Sequence, residues 1–176
     1  MNAMFGQKEM TTVATSLLAG PDAGTTVRFG GFSARYVVSA EQTDGAFALV
    51  EHELAPRQLG APMHTHAREH EISHVTAGRL GVQIGDEVLE AGPGDTVRKP
   101  RGIPHAFWNP GEETVRFLEL ITPPGFEHYF AEIAPLLDGS GPPDIEALAA
   151  TCARYGMEMD FGSMERLIAE HALEPR

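Results

Sequence analysis

The segment His64-Thr65-His66 constrains this chain more than any other stretch. In a β-strand, residues two apart point to one face. Both imidazoles can therefore turn inward together while Thr65 turns away. Glu71 follows a short loop and opens the next strand-like run, Glu-Ile-Ser-His-Val75. His105 stands behind Pro104 at the start of a third such run. A barrel brings strands distant in sequence side by side, so the four side chains can meet in its interior. Three neutral imidazoles and one carboxylate around a divalent ion leave a single net positive charge. Nitrogen and oxygen donors suit iron, manganese, cobalt, nickel, copper or zinc. Four protein ligands leave an octahedral ion two open positions and a smaller coordination sphere fewer. Open positions mark a catalytic site rather than a closed structural one. Each residue alone has an ordinary reading: a surface histidine, a solvated acid, a hydrogen-bonded core histidine. Their combined spacing points to one metal ion.

The surrounding sequence is built for short antiparallel strands. Val27-Arg28-Phe29 and Phe32–Val38 flank Gly30-Gly31, which reads as a hairpin turn. Asp44-Gly45 precedes a run over Ala46–Glu53. Leu80, Val82 and Ile84 alternate up to a Gly85-Asp86 turn, and Asn109-Pro110-Gly111 separates Ala106–Trp108 from Val115–Ile121. Glycine and aspartate permit the positive φ angles of tight hairpins. Many short strands at regular spacing indicate a sandwich or barrel. After Pro123-Pro124-Gly125 the period changes. Phe126, Tyr129, Phe130 and Ile133 recur at helical spacing across Phe126–Leu137. Ser140-Gly-Pro-Pro143 reads as a linker, Asp144 as the cap of a helix to Tyr155 with Gly156 just past its end, and Ser163 as the cap of a helix over Met164–Ala172. The expected plan is an extension over residues 1–23, loosely ordered at 1–10, a barrel over 24–125 and a helical tail over 126–176. The tail has an apolar face that needs cover, from the barrel or from a second subunit.

Composition narrows the partners. The chain has 176 residues and a net charge of −12, with 42% apolar residues. That suits one globular domain. The acidic balance argues against nucleic acid or an anionic membrane as partner. One cysteine, Cys152, excludes an intrachain disulfide and fits a reducing compartment. Val13–Gly20 is short and interrupted by Thr and Ser, so it is not read as a signal peptide. A cytoplasmic protein with a small-molecule substrate is expected.

The residues reach a known family. His64-Thr-His66, four residues, Glu71, six residues and Gly78 resemble the first motif of the cupin superfamily, with Gly60 as a leading glycine closer to the histidines than the family's spacing. Gly94, Pro100, Gly102, His105 and Asn109 fill every fixed position of the second motif. The resemblance covers roughly residues 24–130. It implies an all-β fold, a cupin jelly-roll β-barrel with a C-terminal helical tail here. It also implies a homodimer and a metal held by His64, His66, Glu71 and His105. Within the superfamily, HTHAREHE, PPGFEHYF and the acidic tail are similar to the small quercetin dioxygenase-like branch. That likeness implies a dioxygenase acting on a small aromatic or enediol-type substrate. Glu71 is then the base that takes the substrate's hydroxyl proton. A redox-silent isomerase, cyclase or lyase using the same ligands stays open, as does a non-catalytic ligand-binding cupin.

Other residues are assigned by alternation. Phe107 shares the inward face with His105 and either lines the substrate cavity or fills plain core. Trp108 should point outward to the tail or a partner. Glu119 is expected to face solvent or a neighbour; turned inward it would be a candidate second acid/base. Arg68, Arg98, Lys99 and Arg101 read as a solvated rim. His70 and His74 flank Glu71 and read as loop and surface, while His52, His128 and His171 read as structural or solvated. Cys152 and the methionines at 157, 159 and 164 read as tail packing.

Overall fold

The computed structural model describes residues 17–137, 141 and 143–175. The loose start expected at residues 1–10 and parts of Val13–Gly20 and of the 140–143 linker lie outside the described residues. The chain folds as two antiparallel sheets that close on one another. Strands β1 (Thr26–Phe29) and β2 (Phe32–Val38) pair across the Gly30-Gly31 turn. They continue into β3 (Ala48–Leu54), β10 (Val115–Thr122), β5 (His70–Ala77) and β8 (Thr96–Lys99) as one six-stranded sheet in that order. The second sheet runs β11 (Met157–Met159), β4 (Leu59–His66), β9 (His105–Trp108), β6 (Leu80–Ile84) and β7 (Glu87–Ala91). The Gly85-Asp86 turn joins β6 to β7 as the sequence predicts.

Alternation sets what each sheet buries. Ala48, Val50, His52 and Leu54 of β3 face Val115, Phe117, Glu119 and Ile121 of β10, all buried. On the second sheet the two faces are both covered. His105 and Phe107 turn inward, while Ala106 and Trp108 turn out into a separate cluster with Leu59, Leu167 and Leu173. This outer cluster seats the last helix, α3 (Ser163–Glu170), against the barrel. Burying each leucine contributes about 1.5–3 kcal/mol. Trp108 stacks on His171 with ring centroids 3.8 Å apart. Across from it, a Cβ on Gly81 would lie 2.2 Å from the indole nitrogen, so the side-chain-free position makes room for the ring. The tail's apolar face is thus covered by its own barrel.

The tail departs from a plain helical reading. The run expected over Phe126–Leu137 breaks into a 3-10 turn, a short helix α1 (Tyr129–Ile133) and a second 3-10 turn at Ala134–Leu137. Pro135 has no N–H to continue the ladder. Helix α2 (Ile145–Arg154) is capped as expected, the Asp144 carboxylate accepting from the Ala147 N–H. Ser163 is no cap. It opens α3, donates to the Asp160 carbonyl and accepts from the Met63 N–H. Met157–Met159 forms a strand, β11, rather than loose packing, and adds to the edge of β4. Among the described residues no helix is long and apolar enough to cross a membrane.

Asn109 ties the barrel's turn together. Its fully buried Nδ2 lies 2.8–3.1 Å from the carbonyls of Leu54, Ala55 and Glu113, and its Oδ1 accepts from the Gly111 N–H. Asn109→Ala strands those groups without water. The expected cost is about 3 kcal/mol, read in thermal denaturation as a Tm lower by roughly 6–12 °C. A Tm within a degree or two of the parent would contradict this role.

Candidate metal centre

Strand β4 carries His64 and His66 on the face that looks into the barrel, with Met63 and Thr65 on the other. Antiparallel pairing sets His105 of β9 directly opposite His64. Glu71 enters from the facing sheet on β5. One ligand atom from each of the four residues lies within 4.8 Å of the others, and all four residues are buried. The expected cluster is therefore assembled.

Backbone carbonyls orient two of the rings. His64 Nδ1 lies 2.9 Å from the Pro62 carbonyl and His105 Nδ1 3.1 Å from that of Ile103. A donor proton held there leaves each Nε2 lone pair turned to the centre. His66 has no such carbonyl. Its Nδ1 faces the buried carboxylate of Glu69 at 3.7 Å, and among the described residues neither ring nitrogen has a hydrogen-bond partner. A buried, unpartnered imidazole nitrogen 3.5 Å from the Glu71 carboxylate is costly on its own and fits a ligand awaiting a cation. The electrostatics agree. Burial, reinforced by its histidine neighbours, holds His64 well below its usual pKa. Burial also lowers His105, against the pull of Glu71. Both rings are neutral, as ligation requires. Burial works to raise the Glu71 carboxyl, yet Lys99 and the imidazoles together hold it well below the usual range.

Two residues assigned to solvent are interior. Lys99 and Glu119 are each 2% exposed. Lys99 Nζ stands 3.0 Å from Glu71 Oε2 and 2.7 Å from Glu119 Oε2, and the Ser73 hydroxyl donates to Glu119. Burial pulls the Lys99 ammonium down, but the two carboxylates more than offset it. Burial lifts Glu119 to about 7, with Lys99 opposing. The rim reading of Lys99 fails because the inward face of β8 carries Val97 and Lys99. Glu119 likewise alternates in step with buried Phe117 and Ile121. Arg68, Arg98 and Arg101 are exposed as expected.

Of the four ligand residues, His64 and Glu71 border one end of a cavity of about 120 Å³. Its polar end presents His64, Glu71, Lys99 and Glu119, and its walls are mainly aromatic and sulfur-bearing. Phe107 is one of those walls. A Cβ on Gly60 would fall 2.0 Å from its ring, so glycine there lets the phenyl lie flat against β4. His52 also borders the cavity, packed between Phe32, Phe117 and Phe130. His64 borders a separate outer groove of about 520 Å³ as well. His70 and His74 point outward, and Cys152 is buried in the tail beside Tyr129.

Three outcomes are expected. Protein purified without chelators should hold close to one divalent transition metal per chain by elemental analysis. His66→Ala should weaken metal binding at least about 100-fold in a competition titration, since altering even the partners of ligands costs ~10–100-fold. Unchanged affinity would rule out ligation by His66. Acid should also destabilise the metal-free barrel. Burial holds His52 down at about 4 against an ordinary 6.5. The unfolded chain takes the proton first, so this stabilisation is complete above pH 6.5 and is lost as pH falls toward 4. His52 alone accounts for about 3 kcal/mol of that loss. Urea unfolding of a His52→Phe variant should show a correspondingly flatter pH dependence.

Comparison with known proteins bears on the fold. The family model for the cupin domain matches residues 50–121. No curated protein matches the chain in sequence. Among solved structures, the chain is similar to a predicted oxalate decarboxylase from Thermotoga maritima, with 19% identity and a TM-score of 0.55, over 60% of this chain and 97% of that one. It is similar to KdgF from Halomonas sp., with 20% identity and a TM-score of 0.51, over 57% of this chain and 89% of that one. A sugar phosphate isomerase of the cupin superfamily from Silicibacter pomeroyi shares 24% identity at a TM-score of 0.46. That match spans 52% of this chain and 59% of the isomerase. The likeness to the first two, at under 25% identity, speaks for the fold and not for the reaction. Residues 50–121 thus match the cupin-domain model, and the barrel that contains them has the cupin fold.

Proposed function

We propose that this cupin is a metal-dependent enzyme whose reaction is the dioxygenation of a small substrate with an aromatic or enediol-type core. The observation that carries the reading is the convergence of four ligand atoms, two of whose residues, His64 and Glu71, border the polar end of an aromatic-walled cavity. His64, His66, His105 and Glu71 would hold the ion. When bound, a divalent metal lowers the pKa of a coordinated hydroxyl and offers a position for an oxygen ligand. The chain's own residues do the rest. Glu71, kept ionised by Lys99, receives the proton that the substrate hydroxyl gives up. Phe107 and the facing rings exclude water and hold the substrate's flat core by stacking. The resemblance of HTHAREHE to the quercetin dioxygenase-like branch supports oxygen as co-substrate.

The test is oxygen consumption by protein loaded in turn with iron, manganese, nickel, copper and cobalt, across a panel of phenols and enediols. Uptake of one O₂ per substrate, with both atoms found in product, is the expected result. A fully metallated protein that consumes no oxygen with any member would reject dioxygenation.

A redox-silent isomerase, cyclase or lyase is the second reading, favoured by one feature. Glu119, linked through Lys99 to Glu71, places a second carboxyl on the same cavity. Proton-shuffling reactions use two such groups, one to take and one to return a proton. Turnover by the zinc-loaded protein without oxygen, reduced about 100-fold by Glu119→Gln, would select it.

A further inference from the structure

We propose that the segment from β11 into α3 is a fixed wall that determines specificity, admitting only substrates about the size of one six-membered ring that carry ionisable oxygen at one end. The inference rests on the reading that this cavity binds the substrate. It does not rest on which reaction follows.

Four observations carry it. First, the segment is registered on the metal ligands themselves. Met157 pairs with His66 and Met159 with His64 across the β11–β4 ladder. Side chains from β11 therefore stand at a set offset from two of the four ligands. Second, the segment is anchored at both ends. Gly156 accepts from the Ala67 N–H at 2.9 Å, and Asp160 donates to the Met63 carbonyl at 2.8 Å. Ser163 then accepts from the Met63 N–H. These bonds describe a wall rather than a swinging lid. Third, Met159, Phe161 and Met164 of this segment line the cavity directly. From the other side Phe126 closes edge-on over His66, with ring centroids 4.3 Å apart. Fourth, the cavity measures about 120 Å³. A cavity on the order of 150 Å³ takes a benzene ring, whereas sites for larger organic ligands run to roughly 300–1,000 Å³.

The chemistry of the ends completes the substrate class. Lys99 spends its ammonium on two carboxylates at the polar end and lies 5.4 Å from the Phe107 ring centroid. An oxygen that can lose its proton is the group suited to sit there beside Glu71 and the imidazoles. The remaining walls are mainly aromatic and aliphatic; of their polar side chains, Tyr129 turns its hydroxyl to Cys152 and His52 its Nδ1 to the Ser33 carbonyl. A three-ring flavonol, the kind of molecule suggested by the family branch, is too large for this space.

The experiment uses the full chain loaded with zinc and kept free of oxygen, so that binding is read without turnover. Calorimetry compares catechol, a naphthalenediol and quercetin. The parent protein should bind catechol, bind the naphthalenediol about tenfold or more weakly, and show no binding of quercetin. Met159→Ala and Phe161→Ala remove half-buried wall groups. Each should shift the catechol-to-naphthalenediol affinity ratio toward the larger ring by about tenfold. A merely destabilised barrel would weaken both ligands and leave the ratio alone. Quercetin binding as tight as catechol, no catechol binding at all, or an unchanged ratio in both variants overturns the proposal. Catechol binding with the expected ratios but no oxygen consumption under any metal would reject the oxygenase reading and leave the size limit standing.

Discussion

Burying Glu71 is the most demanding thing this barrel does, and its interior is arranged around that demand. An isolated carboxylate in an apolar core is prohibitively unfavourable. Here it is met by the Lys99 ammonium at 3.0 Å and by two imidazoles within 3.5 Å. Lys99 in turn needs a second anion, which Glu119 supplies, and Ser73 satisfies Glu119. Glu69 adds a further buried carboxylate behind His66, with Arg68 3.4 Å from its outer oxygen. The ligand end of the barrel therefore holds more negative than positive charge. A divalent cation is the natural complement, and the apolar walls around it strengthen each of these interactions.

The same arrangement explains why the metal end and the substrate end are chemically different in one cavity. β-Strand alternation sends every second residue inward, so each strand donates either a polar or an apolar row at a given height. Glu71 and Ser73 on β5, Lys99 on β8 and Glu119 on β10 form the polar height. Val75, Val97 and Phe117 continue the same strands as hydrocarbon. Nothing beyond register is required to produce a charged floor under aromatic walls.

Much of this was legible in the sequence. The hairpin turns at Gly30-Gly31 and Gly85-Asp86 carry their conformational requirement in residue type. His64, His66, Glu71 and His105 carry theirs in spacing. The interior position of Lys99 is masked in the sequence because the neighbouring Arg98 and Arg101 suggest a wet rim, and that of Glu119 because a lone acid in a strand is ordinarily outward. The signal that corrects both was present: Val97 shares a face with Lys99, and Phe117 with Glu119. Strand β11 gave no such signal. Three residues cannot display a period, and Met157-Glu158-Met159 forms a strand only because the edge of β4 offers it partners. The break of the tail helix at Pro135 could have been read from proline alone. Cavity size could not, since it depends on how far the tail reaches back over the mouth.

Strand β11 has one more consequence. It hydrogen-bonds to the very stretch of backbone, His64 to His66, from which two of the donors project. A bound ion and a docked C-terminal segment would both select the same conformation of that backbone, one from within and one from without. Two influences that favour one state favour each other by the same free energy. The C-terminus would then tune how tightly the barrel grips its cation, although none of the four donors belongs to it.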